Sequence, residues 1–119
     1  MNTRNKIVSA TDLPGTPAIL VIGTFDPLLA SHSGRLAELA ANQEAKLVVA
    51  VADALLEPLL ERQARLEMVA ALRMVDFVLP HELGLETAFP WIAIHDDTAL
   101  HARWSADFKD HVRWRSHSA

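Results

Sequence analysis

The residues best suited to chemistry lie just past a short apolar run. Ala18-Ile-Leu-Val-Ile22 reaches Gly23, Thr24, Phe25 and Asp26, and His32, Gly34 and Arg35 follow. A strand that stops at a glycine and turns into a helix start directs free backbone N–H groups, and the positive end of the helix dipole, at the space above the strand. Anions are the natural occupants of such a place. Each feature also has a plain reading: a buried strand with a tight turn, a polar residue at a helix start for His32, a solvated surface cation for Arg35 and an ion-pair partner for Arg65.

The surrounding pattern supplies the elements that would hold these residues. Ala18 to Gly23 has no polar alternation, which predicts a strand buried on both faces, the habit of a central strand in a parallel sheet. From about His32 to Ala45, Leu36, Ala37, Leu39 and Ala40 fall at helical spacing, with Ser31 or Ser33 placed to cap the first turn. Lys46 to Ala52 reads as a second strand, so a right-handed parallel βαβ unit is expected. Pro58 can open a second helix whose buried face carries Leu59, Leu60, Leu66, Val69, Ala70 and Met74. Asp76 to Leu79 is a third strand and Trp91 to His95 a fourth, and the segment between them holds Gly84 and reads as a loop or broken turn. Leu100, Trp104 and Phe108 form one stripe of a helix from about Thr98 to Lys109, and this stripe reads as core or a dimer face. His111 to Ser116 alternates and predicts a fifth strand at a sheet edge.

Ligands of open parallel sheets bind outside the carboxyl ends of the strands. Here those ends supply Gly23 to Asp26, Asp53 and Ala54, Pro80 and His81, and His95 to Asp97. Asp53, Asp96 and Asp97 read first as loop or capping carboxylates. His95, His101, His111 and His117 show no ligand spacing, so no zinc site is expected.

The chain has 119 residues, half of them hydrophobic, enough for one domain with its own core. We divide it into a polar lead-in, residues 1–17, and an α/β domain, residues 18–119. Eleven basic residues against 15 acidic ones give a net charge of -4, which argues against a nucleic-acid surface built on positive potential. Without cysteine there is no disulfide scaffold, thiolate metal site or cysteine nucleophile. No apolar stretch has the length of a membrane span and residues 1–17 lack a secretory core, so the expected location is the cytoplasm. Trp91, Trp104 and Trp114 lie in the terminal third, where edge strands and short helices could leave apolar surface for a homodimer.

Gly23-Thr-Phe-Asp26 followed by His32-Ser-Gly34 and a leucine resembles the signature of the cytidylyltransferase-like nucleotidylyltransferases, which include glycerol-3-phosphate cytidylyltransferase and the heptose-phosphate adenylyltransferase domain. Lys46 to Ala52 is similar to that family's second strand, and Arg65-Leu-Glu-Met-Val-Ala-Ala-Leu-Arg-Met-Val-Asp-Phe-Val78 resembles its arginine-led helix and third strand. The likeness covers Ala18 to about His95. It implies a three-layer α/β/α Rossmann-like domain with a parallel sheet of about five strands, in the order 3-2-1-4-5. It also implies transfer of a nucleotidyl group from a nucleoside triphosphate to a phosphorylated small molecule, with release of pyrophosphate and with Mg²⁺ accompanying the nucleotide. No enzyme nucleophile is needed, and positioning and charge stabilisation carry the rate.

Carried over, Gly23, Thr24, Phe25 and Asp26 match the strand end, His32 and Gly34 the first histidine and the glycine of the His-x-Gly-His motif, and Arg65 the helix-leading arginine. The chain departs from the pattern in three places. The family's first histidine follows the aspartate by three residues, where Leu29 stands here; on this alignment Pro27 to Ser31 holds an insertion. Arg35 replaces the second histidine, keeping a forked phosphate donor but losing the neutral state. Nothing after Trp91 resembles the family's Ile-Ser-Ser-Thr-x-x-Arg. Two readings follow: a working transferase with His32 and Arg35 on the phosphates, or a catalytically inactive relative serving as a nucleotide-binding or oligomerisation module.

Overall fold

The described residues form an α/β fold with four parallel strands, and the run that begins at Ala18 is internal to the sheet. In order the elements are β1 (Ala18–Gly23), α1 (Ala30–Ala41), β2 (Lys46–Val51), α2 (Arg62–Ala70), β3 (Phe77–Pro80), α3 (Leu85–Ala88), β4 (Ala93–Asp96) and α4 (Thr98–Ser118), after two short 3₁₀ turns at Thr3–Lys6 and Ala10–Asp12. This computed structural model describes residues 3–13, 15, 17–41, 45–53 and 58–118, with side chains described within residues 5–112. Ala54 at the second strand end, and the side chains of Trp114 and His117, lie outside the described residues.

The strand order is β3-β2-β1-β4. Val21 lies opposite Val49 of β2 and His95 of β4, and Val49 lies opposite Val78 of β3. All six residues of β1 are buried, as an apolar run without alternation requires. The two-residue period divides them. Ile19 and Val21 face α1 and α2, packing with Leu47, Val49 and Val78 against Leu36, Leu66, Val69 and Ala70. Ala18, Leu20 and Ile22 face the other side, with Val48, Ala50 and Leu79. Each fully buried valine or leucine there contributes roughly 1.5–3 kcal/mol relative to exposure.

The second face is covered more thinly than a three-layer architecture implies. Leu85 of the four-residue α3, with Phe89 and Trp91 of the β3–β4 connection and Ala10 and Leu13 of the lead-in, takes the place of full helices. The lead-in also reaches the outer edge of β3, where Ile7 bridges Val78 and the Val8 N–H donates to the Val78 carbonyl at 2.9 Å.

The sheet has four strands, not about five. His111 to Ser116, read as a fifth strand, is the outer part of α4. Its alternation spans only a few residues, while Leu100, Trp104, Phe108 and Val112 continue one helical stripe at four-residue intervals, so the 3.6-residue period prevails. The helix opened by Pro58 starts later, at Arg62, because Pro58–Leu60 forms a turn held by Asp26. The helix read from His32 begins at Ala30, so Ser31 and Ser33 lie inside it and do not cap it.

The chain runs from β1 to β2 to β3 in one direction and returns to place β4 on the other side of β1. The switch point therefore falls between β1 and β4, which brings Gly23–Asp26 next to Asp96, Asp97 and the start of α4.

Candidate functional site

The last residue of β1 and the three that follow it form the floor of the site. Gly23 ends the strand. A Cβ on it would stand 2.1 Å from Cε1 and 2.2 Å from Nδ1 of His101, so glycine is what lets the α4 imidazole lie on the strand end. The Thr24 N–H donates to His101 Nδ1 at 3.1 Å, and its buried hydroxyl has no partner among the described residues. Phe25 is fully buried with φ +50°, a left-handed conformation rare for a bulky residue and of the kind that collects at functional sites. Asp26 is also fully buried. Its carboxylate accepts the Leu59 and Leu60 N–H groups, both at 2.8 Å, and its carbonyl accepts the Ser105 hydroxyl at 2.8 Å.

His32 sits in the first turn of α1 with no exposure to solvent. Its Nδ1 accepts the Leu29 N–H at 2.9 Å, which puts the proton on Nε2, and that buried Nε2 has no acceptor among the described residues. Rings enclose it. His101 lies edge-on with centroids 4.4 Å apart, Trp104 edge-on at 4.9 Å and Phe25 tilted at 5.5 Å. Burial pushes both imidazoles down to about 4, His101 also through repulsion from His32; the Asp97 carboxylate pulls both the other way without offsetting this. Both rings are therefore neutral at pH 7, each with an Nε2–H.

The cations are engaged within the fold. Arg35 pairs with Asp97 at 3.1 and 3.4 Å, leaving about a third of its side chain exposed. Arg65 is buried and donates to the carbonyls of Thr24 (3.0 Å), Ala52 (2.9 Å) and Leu60 (3.1 Å), and to Asp53 at 3.4 Å. It ties the ends of β1 and β2 to the approach to α2. Asp53 also pairs with exposed Arg62. Gly34 faces open space, with nothing within 4 Å of a Cβ built on it. Further out, His81 meets Glu86 at 2.5 Å and Asp96 accepts the Thr98 hydroxyl and amide, which hold its carboxyl below the usual range.

The structure thus brings Gly23, Thr24, Phe25, Asp26 and His32 into one cluster, with Arg35 at its rim and Arg65 beneath it. Gly34 stands apart on the outer surface of α1. His101, Trp104 and Ser105 complete the cluster, and sequence reading did not find them: His101 was one histidine among several, and Trp104 part of an apolar stripe. Only the β1–β4 adjacency brings the first turns of α4 over Gly23. Beside the cluster, a groove of about 430 Å³ is lined by Leu29, Ser31, Trp104, Asp107, Phe108 and His111.

Among the described residues no three His, Asp or Glu side chains are gathered to hold a metal ion, and none of their helices is long and apolar enough to cross a membrane. Of the carboxylates in the cluster, Asp26 accepts the Leu59 and Leu60 N–H groups and Asp97 pairs with Arg35. The site can donate neutral hydrogen bonds at close range, and its two described cations, Arg35 and Arg65, are both engaged. No protein-family model matches the chain, and no curated protein matches its sequence.

Proposed function

We propose that this chain is a nucleotidylyltransferase-like domain that binds the phosphates of a nucleoside triphosphate at the carboxyl end of β1 and does not transfer the nucleotidyl group. One observation carries the binding half: His32 Nε2–H is a buried donor without an acceptor among the described residues, at the start of a helix, beside the strand end Gly23-Thr-Phe-Asp26. Leaving such a donor unpaired costs about 1–3 kcal/mol, which a phosphate oxygen would restore.

The second half follows from the cations. Phosphoryl-type transfer needs positive charge aimed at the developing transition state. Arg65 is directed at three backbone carbonyls and Asp53, and Arg35 at Asp97. Mg²⁺ in this reading arrives on the triphosphate.

Titration calorimetry with ATP and CTP, with and without Mg²⁺, tests binding, and a pyrophosphate assay with a phosphorylated acceptor tests turnover. The expected result is micromolar binding, abolished by His32→Asn, and no pyrophosphate. The asparagine keeps an acceptor for the Leu29 N–H and removes Nε2. Pyrophosphate release would replace this reading with the working transferase, and absence of binding by both the wild type and His101→Ala would remove both.

A homodimer belongs to the same proposal. Ile92 and Ile94 are exposed on and beside edge strand β4, and Phe108 and Val112 on the outer part of α4. Sedimentation showing only monomer at high concentration would overturn it.

A further inference from the structure

The mouth above β1 already holds an acceptor, and it comes from α4. The Thr24 N–H is the first amide beyond the strand, and it donates to His101 Nδ1. Ser105 holds the Asp26 carbonyl, Asp97 holds Arg35, and Trp104 lies against His32. These contacts all fall within residues 97–105, while Asp107, Phe108, Asp110, His111 and Val112 further along α4 are exposed.

We infer that the start of α4 is an internal occupant of the β1 mouth, with His101 standing where an external polyphosphate chain would present its oxygens. The inference rests on reading the mouth as a phosphate site and adds its regulation. His101 is an incomplete substitute for such a ligand. A neutral imidazole offers one acceptor, which the Thr24 N–H takes, and the Thr24 hydroxyl and His32 Nε2–H beside it have no partner among the described residues. A phosphate group offers several acceptor oxygens and can serve all three. Exchange of the ring for a phosphate therefore gains hydrogen bonds.

Two further features suit the exchange. Gly23 has no side chain to fill the space the ring leaves. Asp97 and His101 sit one turn apart on the same segment, the His101 N–H donating to the Asp97 carbonyl at 2.8 Å. Displacing the ring thus disturbs the Arg35–Asp97 pair as well, and a freed Arg35 supplies the cation that the closed site lacks.

The experiment uses the full chain, with inorganic tripolyphosphate and ATP as probes. Calorimetry compares the wild type with His101→Ala, and amide hydrogen exchange follows residues 97–105 on adding each probe. The expected results are at least tenfold tighter binding by His101→Ala and faster exchange over 97–105 in the liganded wild type. Binding only by His101→Ala supports the inference in its strongest form. Equal affinities with unchanged exchange would overturn the internal occupant and leave the phosphate site standing. No binding by either protein would overturn both. Should His101→Ala fail to fold by circular dichroism, Ser105→Ala, which removes only the bond to the Asp26 carbonyl, takes its place with an expected tightening of about threefold; unchanged affinity there would overturn the inference.

Discussion

His101 Nδ1 accepts the Thr24 N–H at 3.1 Å because residue 23 has no Cβ. A methyl group at that position would lie 2.1 Å from the imidazole, more than 1 Å inside normal contact. The ring would have to leave the strand end, giving up the Thr24 bond and its contacts with Phe25 and His32. Gly23→Ala is therefore expected to destabilise by about 1–3 kcal/mol, the usual cost of overpacking a buried site. Urea denaturation measures this, and an unchanged midpoint would mean that the ring has an alternative seat.

Gly34 gives the opposite sign. It lies inside α1 and a Cβ there meets nothing. Gly34→Ala should stabilise the protein by about 0.5–1 kcal/mol, through helix propensity alone. If Gly34 admits a nucleotide at close range, as the resemblance implies, the same substitution weakens ATP binding while raising the melting temperature. Equal or tighter binding would assign Gly34 no part in the site.

Arg65 distinguishes a structural clamp from a ligand contact. Its guanidinium serves three carbonyls from three segments, an arrangement that a lysine's single ammonium cannot reproduce. Arg65→Met should cost about 3 kcal/mol or more, since it removes several charge-assisted bonds at once and leaves buried acceptors unpaired. Arg65→Lys should recover only part of this. A variant with wild-type stability that had lost nucleotide binding would show instead that the guanidinium faces a ligand.

How much of this was legible in the sequence depends on how local the cause was. β1 could be read because six buried residues leave an unbroken apolar run, and the strand order 3-2-1-4 because the four apolar runs fall in the order of the resembled fold. The fifth strand expected over His111 to Ser116 does not form, because its alternation is too short to compete with a helical stripe that starts at Leu100. The turn at Pro58–Leu60 was hidden for a different reason: it is held by Asp26, more than thirty residues away in sequence. His101 was hidden for the same reason, since nothing near it indicates that Gly23 lies beneath it. Spacing revealed the residues of the β1 loop, while the partners that engage them came from tertiary structure.

The two buried imidazoles also set the acid stability of the fold. In the native protein both His32 and His101 are pushed down to about 4, against 6.5 for a free imidazole. Between these values the unfolded chain binds protons that the native state does not, so unfolding becomes more favourable as pH falls. Stability rises with pH across the window and is fully present above about 6.5. With both rings contributing, unfolding near pH 5 should take up about two protons, a slope approaching ~2.7 kcal/mol per pH unit. Asp96 acts below this window, because its carboxyl is lowered by the Thr98 hydroxyl and amide and its contribution is lost only beneath the ordinary carboxylate range. Urea midpoints measured from pH 7.5 to 4.5 test the expectation. His32→Asn and His101→Asn, which keep acceptors for the Leu29 and Thr24 amides, should each remove about one proton from the slope. A wild-type slope near zero through pH 5 would mean that the native rings take up protons as readily as the unfolded chain, and that the cluster of Phe25, His32, His101 and Trp104 is open to water.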